Sequence, residues 1–365
     1  MRPANPRAAS RVAAERLIEG SPEAAEQLAL LSLRRSPYLA EAVRTLGEAR
    51  NRLEPGSGNE LMLLAGRLGW RDLPTQIWLI EQAVLTEHPE VAVQRAEALV
   101  RQNFEPETTF ALLRQLSAEP QPRAALVRSL AERPAWRARF LRSRSVPGTD
   151  WPLLAALLRH LARTSAPPTR AEANPTIEGL ATFKSFAEAH QLYQHLFVPA
   201  GGPRTVLEAG ALNIRDRPRD PAHEPTIFEW RLQTVEGAGA DVERAGRNGA
   251  GLVLIAHTSG TASGPLAVRT ILVPPGSYRL RYRIRSDAPD APTSFPLILF
   301  CAGGAALGAA TRADLPGADW QVREIPFTLP ADCPTMHVQL LAAPSRDGKS
   351  REAELGDFAL VPQKS

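Results

Sequence analysis

The hydrophobic rhythm of the chain changes once, near residue 200. Before that point apolar residues recur at helical spacing, as in Ala25-Leu28-Ala29-Ser32-Leu33 and Leu153-Leu154-Leu157-Leu158-Leu161. After it they alternate, as in Tyr278-Arg279-Leu280-Arg281-Tyr282-Arg283-Ile284-Arg285. The first period buries one stripe of a helix, and the second buries one face of a strand. The pattern predicts a multidomain α + β chain, with a helical domain over 1–203 and a β domain over 204–365.

Ser21-Pro22-Glu23-Ala24 supplies an N-cap, a proline at the first helical position and an acid in the first turn. Helices are expected over 22–35, 38–52, 60–68, 73–86, 89–102 and 106–117, each punctuated by Pro, Gly or a capping residue. A last helical pair includes 178–197. Short helices joined by short turns describe a stacked α-hairpin array, an α-helical repeat solenoid. In the second half, strands are expected over 226–232, 251–257, 266–273, 277–285, 295–301, 321–329, 336–343 and 354–361. Val273-Pro274-Pro275-Gly276 and Leu329-Pro330-Ala331-Asp332 carry turn chemistry between them. Many short strands without a long helix read as an antiparallel β-sandwich or jelly roll.

Two resemblances sharpen this picture. Ala25, then Pro37, then Leu46-Gly47, with Ala92 two repeat periods after Ala25, resembles the register of tetratricopeptide repeats over roughly the first third of the chain. That resemblance implies a concave surface for a partner protein or peptide. In the β half, Phe228-Glu229-Trp230, Pro275-Gly276-Ser277-Tyr278, Asp319-Trp320 with Phe327 to Pro330, and Gly356-Asp357-Phe358 follow one another. Their order is similar to a carbohydrate-binding module of the jelly-roll, galactose-binding-like type. The likeness implies a polysaccharide ligand and a structural calcium, for which Asn213, Asp216 and Asp357 are the candidate carriers. Calcium takes six to eight oxygens, more than these three residues supply. Trp230 and Trp320 fall at positions that are structural in such sandwiches, so neither is an evident platform for a sugar.

Composition changes the picture little. The 43 basic and 39 acidic residues leave a net charge of +4, which gives no reason to expect nucleic acid. Only Lys184, Lys349 and Lys364 are lysine, so the basic groups are rigid, bidentate guanidinium forks. No run approaches the roughly 20 apolar residues that span a bilayer. Met1 to Ser10 lacks the apolar core of a signal peptide, which taken literally says cytoplasm. Helical periodicity from Val12 is equally what a chain trimmed of a signal or anchor would show.

Arg279, Arg281, Arg283 and Arg285 are the candidate ligand-binding residues. With Tyr278, Leu280, Tyr282 and Ile284 on the core face, all four must project from the opposite face, roughly 7 Å apart. Such a row repels itself unless something acidic faces it. Either Glu324, Glu352 and Glu354 on neighbouring strands do so, or the carboxylates of an anionic polysaccharide do. Arg133 to Arg144 is the most basic segment, with Trp136 and Phe140 expected on its inner face. Trp70, Trp78, Trp136 and Trp151 invite a ligand reading, but Trp78 sits in an apolar run and is expected in the core. Cys301 and Cys333 flank core strands, either as a disulfide or as two small buried hydrophobes, and a disulfide would require an oxidising compartment. His190 and His195, five apart, do not match the spacing of a helical zinc pair.

No nucleophile elbow, zinc-protease or phosphate-loop motif is present, and no cofactor is expected beyond the calcium. The expectation is a non-catalytic scaffold or adaptor, with a partner protein on the helical repeats and an anionic polysaccharide on the sandwich. Helical repeats joined to sugar-binding sandwiches resemble accessory parts of bacterial envelope or exopolysaccharide assembly and export, which implies the periplasm. The alternatives are a cytoplasmic protein–protein adaptor and a polysaccharide-modifying enzyme.

Overall fold

The computed structural model describes residues 5–103, 106–143, 151–199, 224–244, 252–286, 294–309, 319–333 and 335–363. They fall into two compact units, Met1–Ala166 and Pro167–Ser365. Among the described residues the first unit holds α1 (Pro6–Ile18), α2 (Pro22–Arg35), α3 (Ala40–Leu53), α4 (Asn59–Leu68), α5 (Leu73–Leu85), α6 (Pro89–Arg101), α7 (Pro106–Leu116), α8 (Pro120–Ala131), α9 (Arg137–Arg142) and α10 (Trp151–Leu161). Proline opens α1, α2, α6 and α8 and stands second in α5, positions where its missing N–H is no loss. Pro120 and Pro122 both lie in the first turn of α8.

The helices pack through small residues. Ala13, Ala29 and Leu46 form one buried cluster of α1, α2 and α3, and Leu17, Ala25 and Ala49 form a second. Between α3 and α4 the backbones almost touch: a Cβ on Gly58 would lie 1.9 Å from the Gly47 carbonyl oxygen. Arg44, buried on α3, pairs with Glu48 at 3.0 Å and with Asp72 at 2.9 Å. Asp72 also accepts the Thr75 N–H at the start of α5, so one ion pair ties two helices together.

The basic segment turns one arginine inward. Arg137 is buried and donates to the carbonyls of Leu130 and Ala166 at 2.9 and 3.0 Å. Arg139 lies over the Phe110 ring, while Trp136 meets Phe140 edge-on at 5.8 Å on the inner face. Trp78 is half-buried, and Trp70 is half exposed with the Arg95 guanidinium over its ring. Among the described residues no helix is long and apolar enough to cross a membrane.

The second unit begins with a helical pair, α11 (Arg170–Thr182) and α12 (Phe186–Phe197). Thr169 and Glu172 close a capping box at the start of α11. The strands follow: β1 (Arg231–Leu232), β2 (Thr234–Val235), β3 (Ala238–Arg244), β4 (Leu252–Thr258), β5 (Gly264–Leu272), β6 (Gly276–Ser286), β7 (Leu297–Cys301), β8 (Ala306–Ala309), β9 (Gln321–Leu329), β10 (Thr335–Ala342) and β11 (Arg351–Pro362). They form a five-stranded sheet, β1-β5-β10-β7-β8, and a six-stranded sheet, β2-β3-β4-β11-β6-β9. All pairings described are antiparallel, and one continuous apolar core, including Trp230, Leu280, Tyr282, Leu299, Val338 and Phe358, draws on both sheets. The fold is thus an N-terminal helical array followed by an antiparallel β-sandwich.

A disulfide joins Cys301, at the end of β7, to Cys333, in the turn before β10. Residues 226–230, expected as a strand, instead form a turn in which the Glu229 N–H donates to the Thr226 carbonyl. This turn holds the helical pair to the sandwich. Arg170 forms a buried ion pair with Glu229, and Arg231 pairs with Glu178 at 3.0 Å. His190 and Tyr193 of α12 pack against Phe228 with ring centroids 4.9 and 5.4 Å apart. The rhythm change near residue 200 therefore marks a change of secondary structure, while the packing unit changes at residues 166–167.

Candidate functional site

The alternation in β6 fixes which side chains face outward. Tyr278, Leu280, Tyr282 and Ile284 are buried in the sandwich, and the four intervening arginines stand on the outer face of the six-stranded sheet. The neighbouring strands supply acids. Arg279 pairs with Glu324 of β9 at 3.1 Å, and Arg285 with Glu354 of β11 at 2.6 Å. Arg283 pairs with Asp357 at 2.6 Å. The Arg281 side chain is exposed and, among the described residues, makes no hydrogen bond or ion pair.

Asp357 reaches Arg283 because β11 bulges there. The ladder to β6 slips between Gly356 and Ala359, and Asp357 takes a left-handed backbone with φ 51°. Asp tolerates that conformation better than most residues, and the extra residue sends Asp357 outward while Phe358 enters the core. Phe358 stacks on Tyr282 at 5.7 Å and meets Trp230 at 5.0 Å. Trp320, half-buried just before β9, carries the guanidinium groups of Arg283 and Arg285 over its ring at 5.2 and 5.0 Å. The row is thus a lattice of exposed and half-exposed ion pairs over an aromatic ring, with one arginine left uncommitted. Such pairs each stabilise by about 0–1 kcal/mol, so they set chemistry more than stability.

Of the calcium candidates, Asn213 and Asp216 lie outside the described residues, and Asp357 is engaged by Arg283. Among the described residues no group of three or more His, Cys, Asp or Glu side chains is placed to hold a metal ion.

At the other end of the sheet, β2, β3, β4 and β11 border a cleft of about 560 Å³. Thr234, His257 and Glu352 line it and belong to one cross-strand row, in which Thr234 pairs with Gly239, Gly239 with His257, and His257 with Glu352. A Cβ on Gly239 would lie 3.0 Å from His257 Cε1 and 3.1 Å from Nε2, so the imidazole rests in the space a side chain would fill. Ser259 sits likewise beside Gly237, whose Cβ would lie 2.7 Å from the Ser259 hydroxyl. Arg351, also on the lining, pairs with Asp347 at 2.7 Å. That hydrogen bond is the main cause that holds the Asp347 carboxyl down to about 2. Glu352 is exposed, and its carboxylate has no partner among the described residues.

The sequence pointed to the arginines but not to this cleft. Glu352 entered only as a partner for an arginine, and His257 and Gly239 carried no motif. The one available signal was a glycine inside a strand, which often marks a close approach by another group.

No protein-family model matches the chain, and no curated protein matches its sequence. Several solved structures are similar in part. A family 4 carbohydrate-binding module is 17% identical, covering 38% of this chain and 88% of that one, with a TM-score of 0.28. The carbohydrate-binding module CBM6cm-2 from Cellvibrio mixtus lichenase 5A, in complex with cellotriose, is 15% identical, covering 36% and 92%, with a TM-score of 0.23. The CBM22-1 xylan-binding domain from Paenibacillus barcinonensis Xyn10C is 13% identical, covering 37% and 86%, with a TM-score of 0.25.

Proposed function

We propose that the chain is a non-catalytic scaffold whose sandwich takes a polysaccharide across the outer face of the six-stranded sheet, while its helical unit takes a partner protein. The observation that carries this reading is the open face of β6, β9 and β11, where guanidinium and carboxylate groups alternate beside Trp320. Sugar hydroxyls both donate and accept, and a face of paired opposite charges offers partners for both. Arg281, uncommitted among these groups, suits a carboxylate on an acidic sugar. Exposed Leu63, Leu64, Trp70 and Leu85 on the helical unit support a protein-binding role there. The Cys301–Cys333 disulfide supports an oxidising compartment, in keeping with envelope or exopolysaccharide assembly in a bacterium.

The test is an array of acidic and neutral polysaccharides probed with the full chain. Binding to acidic chains is expected to weaken with salt and to drop about tenfold or more in Arg281→Gln. Binding to no polysaccharide at all overturns the reading. A second reading, a protein–protein adaptor without a glycan, is favoured by the pairing of Arg279, Arg283 and Arg285 within their own sheet. It gains if the array stays blank and a protein is retained by the same face.

A further inference from the structure

We propose that the cleft between β2, β3, β4 and β11 is a separate subsite for one neutral, polyhydroxylated unit, with Glu352 and His257 as its recognition pair. This inference rests on the carbohydrate reading and assigns it a second place on the sheet. Three observations lead to it. The cleft volume of about 560 Å³ lies in the range of small-molecule sites and is ample for a sugar ring. Glu352 brings an exposed carboxylate with no partner among the described residues, while the nearby cation, Arg351, is committed to Asp347. Gly239 leaves the His257 ring lying against the floor of the cleft.

That glycine has no backbone reason to be there. Its φ is not in the left-handed region, and a glycine inside a strand destabilises relative to residues that pack. What it provides is the space beside it, which His257 occupies. The imidazole leans over β3, while Glu352 stands beside His257 on the opposite neighbour, β11, so the two side chains line the cleft from separate strands. No hydrogen bond within the protein uses the His257 ring nitrogens among the described residues.

The chemistry of the lining selects the ligand class. An ionised carboxylate only accepts, so the ligand must donate to Glu352. An anion is repelled by it, which separates this subsite from Arg281. The His257 ring brings polar nitrogens, and Thr234, Ser259 and Ser350 add hydroxyls around the rim. A ligand with adjacent hydroxyls that both donate and accept satisfies every group. Two side chains are too few for a divalent cation, which takes four or more ligands.

The experiment is saturation-transfer NMR on the full chain with the methyl glycosides of glucose, galactose, mannose and xylose, followed by calorimetric titration of whichever binds. Wild type is expected to bind at least one of them. Glu352→Gln and His257→Ala should each weaken it by about tenfold or more. Arg281→Gln should leave it within twofold. Gly239→Ala, which displaces the ring without removing it, should weaken binding with an unchanged circular dichroism spectrum. If the glycosides bind equally well to Glu352→Gln and His257→Ala, the subsite is overturned while the carbohydrate reading stands. If polysaccharides bind the chain but no glycoside does, the subsite is again overturned alone. If neither binds, both readings fall.

Discussion

Both units use glycine for close approach, but to different ends. In the helical unit a Cβ on Gly58 would strike the Gly47 carbonyl, and one on Gly66 would lie 2.3 Å from Leu79 Cδ1. These glycines let helices pack and bury what they touch. In the sandwich, Gly239 makes room for the exposed imidazole of His257. The first kind builds a core, and the second presents a side chain. The same substitution should therefore damage stability in one unit and recognition in the other.

The comparison can be broken most strongly at the helical pair that the sandwich unit claims. Arg170 and Glu229 are both nearly buried, at 13% and 8% side-chain exposure. Glu229→Ala leaves the guanidinium without its ion-pair partner and should cost about 3–5 kcal/mol, read by denaturant unfolding. If α11 and α12 merely led into the sandwich, the cost would fall well below that. Next in size is the disulfide. Its residues are 32 apart in sequence, and removing that constraint by Cys301→Ser with Cys333→Ser should cost about 3.5 kcal/mol. Loss should show in the near-ultraviolet signal of the sandwich aromatics before the helical signal changes.

Much of this architecture was legible in the sequence, for local reasons. Proline at first turns and periodicity of 3.6 marked most helices, and strict alternation marked β6. What was missed depends on pairing between distant segments. β3 begins Ala-Gly-Ala-Asp and has no apolar alternation, because it is held by β4 and by a core that needs only small residues there. The turn at 226–230 has strand-like composition, but Phe228 is drawn toward His190 and Tyr193. The cleft was invisible for the same reason: Thr234, Gly239, His257 and Glu352 meet only once four strands are in register.

Gly58→Ala in the helical unit should cost about 1–3 kcal/mol, because the opposing atom is backbone and the helices must separate. Gly239→Ala should change stability far less. Equal losses at the two sites would erase the contrast between packing glycines and presenting ones.

Acid acts on the sandwich unit through two half-buried imidazoles. Burial is the leading cause that lowers the pKa of both His190 and His337, in the sandwich unit, below the ordinary imidazole value of about 6.5. The unfolded chain then binds protons that the folded unit resists. Stability is complete above about pH 6.5 and falls as pH drops through the lowered values. His190→Phe, which keeps the ring contact with Phe228, should flatten part of that decline in a melting-temperature series from pH 8 to 5.

The central claim is that the carbohydrate is taken on the outer face of the six-stranded sheet and not on the helical unit. Hydrogen exchange on the full chain, with and without the tightest-binding oligosaccharide of the array, tests it directly. Protection is expected in β4, β6 and β11, with residues 5–143 unchanged. Protection confined to the helical unit, or to the five-stranded sheet, would contradict it.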